Sequence, residues 1–130
     1  MNANNDYRIK NVTVSTNGRN ELYFDVEWEG DDKLDYYELR VWESDKDNCL
    51  EVSPYAAHSQ RIIVKDSYFV KSLQSKQINK ETFYVELGVA DYTEEGTLKS
   101  WDVLAAYEPI EANIYYELHI FRKNVLELKI

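Results

Sequence analysis

The sequence predicts an all-β protein, a two-sheet antiparallel β-sandwich, and three observations carry that expectation. The first is alternation. Leu22, Phe24, Val26 and Trp28 share one face of a run whose other face is Tyr23, Asp25, Glu27 and Glu29, the period of two that a half-buried strand requires. The second is composition: aromatics make up 14% of the chain, with eleven Tyr and three Trp, and together with the Val and Ile content this favours strands over helices. The third is punctuation. Seven to nine short runs are separated by turn-forming residues with no helical insert, which is the signature of a sandwich.

The elements follow in order. Met1 to Asp6 is polar and expected to be loose. Val12 and Val14 then face one way and Thr13 and Ser15 the other, and Thr16-Asn17-Gly18-Arg19-Asn20 reads as a turn because Asn-Gly accepts positive φ. The Leu22–Glu29 strand ends at Gly30-Asp31-Asp32-Lys33. A third run places Tyr37, Leu39 and Val41 inward and Tyr36, Glu38, Arg40 and Trp42 outward. Glu43 to Asn48 reads as an acidic loop and Leu50 to Val52 as a short edge strand before Pro54. Arg61 to Val64 and Tyr68 to Val70 read as strand, and Leu73 to Glu81 as a polar connection. Phe83, Val85, Leu87 and Val89 alternate with Tyr84, Glu86, Gly88 and Ala90, a turn follows at Glu94-Glu95-Gly96-Thr97, and Trp101 to Tyr107 returns as a strand up to Pro109.

The stretch from Ile110 to Ile130 admits two readings. Ile114, Leu118, Phe121, Val125 and Leu128 fall at helical spacing, but Tyr115, Tyr116, Ile120, Leu126 and Ile130 then occupy the opposite side and remove the amphipathic face. As strands, Ile114, Tyr116, Leu118 and Ile120 alternate, as do Leu126, Leu128 and Ile130, with Arg122-Lys123-Asn124 as the turn. An extra C-terminal β-hairpin or strand pair is the favoured expectation.

With 130 residues, the chain is the size of one domain and long enough to bury a core. A core over about residues 9–108 and an extension over 109–130 are expected within that domain. Its formal net charge is −9; so negative a surface repels phosphate backbones, and the scattered basic residues form no patch, so no nucleic-acid partner is expected. No apolar run is long enough to span a membrane. The N-terminus has no apolar core of a secretory signal, and the one cysteine, Cys49, forms no intramolecular disulfide and no Cys-rich zinc site. A cytoplasmic protein, or part of a particle assembled in the cytoplasm, fits these features.

Several motifs of the core segment resemble a fibronectin type III or immunoglobulin-like module. Trp28 closes a second strand, Tyr37 opens an alternating third strand (Tyr37-Glu38-Leu39-Arg40-Val41), Leu73 precedes the aromatic run Phe83-Tyr84-Val85-Glu86-Leu87-Gly88-Val89, and Gly96 and Ser100 precede the last strand. The pattern departs from the family at Phe83, which stands where the family has a corner Tyr, and in a long connection after Leu73 without the usual Pro. The resemblance implies adhesion, assembly or recognition, without naming a partner.

Chemistry is sparse. His58 and His119 are far apart in sequence, and each reads as an ordinary surface histidine. Cys49 has Asp45, Asp47 and Glu51 nearby, charges that raise a thiol's pKa and make a poor nucleophile. Asp31, Asp32 and Asp35, or Asp45, Asp47 and Asn48, offer oxygen ligands, but the spacing fits no EF-hand. No Gly-x-Ser-x-Gly, Gly-x-Gly-x-x-Gly or P-loop occurs. No catalytic residue, metal or cofactor is therefore expected. Tyr23, Tyr36, Trp42 and Tyr84 fall on outward faces, where large rings serve a contact surface for protein or sugar or are covered by other strands or a subunit. Ile114, Tyr116, Leu118 and Ile120 are the candidate assembly segment, able to add to a partner's sheet edge. The expected function is a non-catalytic binding or assembly module acting through protein contacts or self-association, such as a component of a phage or secretion-type particle or an adaptor. A carbohydrate-binding module using the surface aromatics is the alternative.

Overall fold

A computed structural model describes residues 6–16, 21–31, 33–43, 49–65, 78–115 and 126–129; for 78–80, 113–115 and 126–129 it describes the backbone alone. Nine strands form among these residues: β1 Arg8–Thr16, β2 Leu22–Glu29, β3 Glu38–Trp42, β4 Cys49–Ser53, β5 Ser59–Val64, β6 Ile78–Tyr92, β7 Leu98–Ala106, β8 Ile110–Tyr115 and β9 Leu126–Lys129. They build two sheets. One is three-stranded in the order β1-β2-β5; the other is six-stranded in the order β4-β3-β6-β8-β9, with β7 also paired to β6. The expected all-β two-sheet sandwich is the observed architecture.

The alternation seen in sequence becomes the core. Leu22, Phe24, Val26 and Trp28 of β2 and Ile62 and Val64 of β5 are buried against Tyr37, Leu39 and Val41 of the β3 segment and Phe83, Val85 and Leu87 of β6. Phe24 and Phe83 meet edge to face between the sheets, ring centroids 5.2 Å apart, the geometry their quadrupoles favour. In β1 the register slips between Ile9 and Asn11. That bulge lets Ile9 and Val14, an odd number of residues apart, both face the core. The turn before β7 also follows expectation: Gly96 sits at φ 87°, a conformation open to residues without a Cβ, and Thr93 N donates to Thr97 O at 2.8 Å.

β6 is the spine of the larger sheet. Its C-terminal part pairs with β3 on one side and with β7 on the other, and its N-terminal part, Ile78–Phe83, pairs with β8. Glu86 faces Ala106 and Phe83 faces Ile110, and Tyr107 N donates to Val85 O at 3.0 Å. β8 thus continues β7 along the same edge of β6 after a short irregularity at residues 107–109.

Three expectations need correction. Ile78 to Glu81 belongs to β6 rather than to a polar connection; its pairing with β8 supplies the backbone partners that its side chains gave no reason to expect. The C-terminal segment is a strand pair but not a hairpin, because β9 runs parallel to β8. Alternation identifies a strand yet carries no information on its direction relative to a neighbour. Glu38 and Arg40, placed outward, are buried at 0% and 5% exposure, since other side chains cover that face of the sheet. The loose N-terminus up to Asn5, the Asn17–Asn20 turn, the Ser44–Asn48 loop, the Tyr68–Val70 strand, Leu73, His119, the Arg122–Asn124 turn and Ile130 lie outside the described residues.

Candidate functional site

The four aromatics singled out from sequence do not form one platform. Tyr23 lies on β2, opposite Ile63 of β5, in the three-stranded sheet; the Arg61 guanidinium lies 4.5 Å from its ring centroid and is itself held by Asp25 at 2.7 and 3.0 Å. Tyr36, Trp42 and Tyr84 lie on the outer face of the other sheet, where Trp42 and Tyr84 are cross-strand partners. All four are half-buried. Of the assembly set, Ile114 is on β8 between Asn79 and Leu128, while Tyr116, Leu118 and Ile120 lie outside the described residues.

The outer face of β3, β6 and β7 holds a polar cluster built from the residues upward. On β3, alternate positions put Glu38, Arg40 and Trp42 on this face, and β6 sets Gly88, Glu86 and Tyr84 opposite them. Arg40 binds Glu38 Oε1 through Nε at 3.1 Å and Nη2 at 2.9 Å. Tyr36 and Tyr92 both donate to Glu38 Oε2, Tyr92 at 2.5 Å. Burial pushes the Glu38 carboxyl up, but the hydrogen bonds from Tyr36, Tyr92 and Arg40 outweigh it and hold it below the usual carboxylate range. Burial and the bond to Glu38 raise the Tyr36 hydroxyl, so it stays protonated as a donor.

Trp101 closes the cluster. It pairs with Ala90 across β6 and β7, its Nε1 donates to Glu86 Oε1 at 3.0 Å, and Arg40 lies 4.5 Å from its ring centroid. Trp42 lies further from the same guanidinium, at 5.9 Å. A cation flanked by indole faces is favoured by their quadrupoles, more strongly where water is excluded. The arrangement fixes the rings in place, and the Glu38 carboxylate accepts from Tyr36, Tyr92 and Arg40. The Trp42 Nε1 atom is buried without a hydrogen-bond partner among the described residues.

Sequence reasoning missed Glu38, Arg40, Glu86, Tyr92 and Trp101. The signal that could have found them is Gly88: a glycine inside an alternating strand marks a close approach, and here the Trp101 ring lies where its Cβ would be, 2.7 Å away. Tyr55 was missed as well. It is 77% exposed, sits at φ 50°, and meets Tyr36 edge to face at 4.6 Å.

The remaining candidates have ordinary roles. His58 stacks on Trp28 at 4.1 Å, and its Nδ1 lies 3.0 Å from Trp28 O, while Trp28 Nε1 donates to Ala57 O at 2.8 Å; the histidine helps seal the core tryptophan. Burial raises the half-buried Cys49 thiol despite the nearby Arg40 guanidinium. Asp31 accepts from Tyr7 Oη at 2.7 Å and pairs with Lys33 at 3.2 Å. No group of three or more His, Cys, Asp or Glu able to hold a metal ion occurs among the described residues. Between the edge strands β4 and β5 lies an open cleft of about 400 Å³ lined by Glu51, Ser53, Pro54, Arg61, Ile63 and Lys65 among others.

No helix among the described residues is long and apolar enough to cross a membrane. No family model and no curated protein matches the sequence. Among solved structures, the chain is similar to Ruminococcus gnavus β-glucuronidase in complex with D-glucuronic acid, at TM-score 0.45 and 14% identity, covering 81% of this chain and 16% of that one. The apo form of that enzyme aligns with the same TM-score and identity over 15% of its length, and a further structure of it aligns at 0.46 with 13% identity. The chain therefore spans about a sixth of the enzyme it aligns with.

Proposed function

We propose that the chain is a non-catalytic recognition or assembly module that acts through protein–protein contacts on the outer face of β3, β6 and β7. The observation that supports this most directly is the buried Glu38–Arg40 pair, which ties Tyr36, Tyr92 and Trp101 into one fixed layer. Rings held by a saturated polar network lose little side-chain entropy on binding, so they suit a contact surface better than loose ones. The layer is fringed by exposed apolar side chains: Tyr92, Leu98 and Val103 are 42%, 39% and 39% exposed. Leu98 faces Tyr92, and Val103 faces Gly88, across the β6–β7 ladder. The strand order also agrees with a fibronectin type III or immunoglobulin-like module, with β1-β2-β5 in the places of strands A, B and E and β3-β6-β7 in those of C, F and G. Carbohydrate stacking is less favoured, because Tyr36, Trp42 and Tyr84 are half-buried rather than presented as open platforms.

A photo-activated crosslinking residue placed at Leu98 or Val103 in the producing cell tests the reading. A discrete protein adduct, or a cross-linked dimer, is expected from both positions and none from Lys10 on β1. Absence of adducts at both positions, together with a tryptophan fluorescence response to glycans, replaces the protein-contact reading with the carbohydrate one.

A further inference from the structure

One end of the sandwich carries a surface that the polar cluster does not explain. Tyr55, in the β4–β5 loop, is a non-glycine residue in the left-handed region and is mostly exposed. Such a conformation is disfavoured for a side chain with a Cβ, and it persists where the surroundings hold it. Here Ala56 N donates to Tyr37 O at 2.9 Å, and the Tyr55 and Tyr36 rings meet edge to face. Tyr36 shares the Glu38 carboxylate with Tyr92, and Tyr92 faces Leu98 across the ladder. Tyr55, Tyr36, Tyr92 and Leu98 thus make one continuous aromatic and apolar strip at the loop end.

The strip is framed by negative charge. Asp35 adjoins Tyr36, and Glu94 and Glu95 follow Tyr92 in the exposed turn before β7. Lys33 in the β2–β3 loop and Lys99 on β7 already face carboxylates: Lys33 pairs with Asp31 and approaches Asp6, and Lys99 approaches Asp91. The end as a whole is left negative, and the electron-rich faces of tyrosine rings add to the attraction for a cation.

Resting on the protein-contact reading above, we propose that this end docks an extended basic segment of a partner protein, its Arg or Lys side chains lying over the exposed Tyr55 and Tyr92 and against Asp35, Glu94 and Glu95. A sugar would use ring stacking without the surrounding charge, and an acidic or neutral segment would gain nothing from it. Attraction of this kind falls as salt screens it, while ring contacts persist.

The test uses the full chain and three fluorescent peptides of equal length, alternating Gly with Arg, Gln or Glu, followed by anisotropy at low and physiological salt. Saturable binding of the Arg peptide alone is expected. Tyr55→Ala is expected to weaken it about three-fold or more, the scale of one cation–π contact. The Glu94→Gln/Glu95→Gln pair is expected to weaken it comparably and to flatten its salt dependence. The remote pair Glu108→Gln/Glu111→Gln, on exposed carboxylates of the β7–β8 junction, should leave it unchanged. No saturable binding, or equal losses from the near and remote pairs, overturns the proposal, the latter because it reports only attraction to a negative protein. Binding of the Gln or Glu peptide that Tyr55→Ala abolishes overturns the basic partner while leaving protein recognition standing. Loss of the Leu98 and Val103 crosslinks as well would remove both.

Discussion

Gly88 stands opposite Glu38 in the β3–β6 ladder and beneath the ring of Trp101. An added Cβ would lie 2.5 Å from Asp102 O as well as 2.7 Å from the ring. The backbone oxygen cannot rotate away, and moving the indole would break its bond to Glu86 and its stacking on Arg40. Gly88→Ala is therefore expected to destabilise the fold by about 1–3 kcal/mol, the usual cost of overpacking a filled site. The measurement is a urea unfolding midpoint at unchanged slope; a midpoint at or above the parent value would show that the β6–β7 contact is looser than the geometry states. Gly30 is crowded in the same way by the rings of Tyr7 and Trp28. In both places the sequence offered a visible glycine, but only the folded chain shows which ring occupies the space.

At the scale of elements, β8 changes how the C-terminal stretch is understood. The expected extension over residues 109–130 contains β8 and β9. β8 pairs with Ile78–Phe83 of β6, and Ala112 on it is wholly buried in the core. Removing it exposes inner-face surface beside Phe83 and leaves backbone groups of the spine strand without their partners, losses that are costly in a buried setting. The version ending at Pro109 is expected to lose about 3 kcal/mol or more of stability, read as a collapse of the thermal transition. An unchanged melting temperature would mean that β8 and β9 are accessory to the sandwich.

Across the whole molecule, acid is expected to weaken the fold. Burial raises the Glu38 carboxyl, but the bonds from Tyr36, Tyr92 and Arg40 leave it below its ordinary value. The Arg61 bond holds Asp25 below its ordinary value despite partial burial, and bonds from Tyr7 and Lys33 do the same for Asp31. Each carboxylate takes up a proton less readily in the folded chain than in the unfolded one. Their stabilisation is complete above the ordinary carboxylate range and fades as pH falls through the lowered values. In salt high enough to screen the net charge of −9, the melting temperature is expected to decline below about pH 5. Glu38→Gln should lower stability at neutral pH, since Arg40 is left buried beside a neutral group, and should make the acid limb shallower. A parent-like slope in that variant would place the acid sensitivity elsewhere.

The amino-acid sequence by itself determined where most strands of the sandwich lie and which of their faces are buried, because side-chain alternation there has the same period as the pleat; it did not show Ile78 to Glu81 as strand. It identified β2 almost residue for residue, the inward set of β3 and β6, and the glycine turn before β7. It also determined that the chain is rich in aromatic side chains and carries a net charge of −9. Only the tertiary structure decided what those outward side chains do. Whether an outward Glu is solvated, or buried as Glu38 is, depends on what lies across the sheet at Gly88 and Trp101, residues distant in sequence. The direction of β9, the continuation of β7 into β8 and the gathering of Tyr55, Tyr36 and Tyr92 at one end depend in the same way on pairings between distant segments, which a local pattern cannot encode.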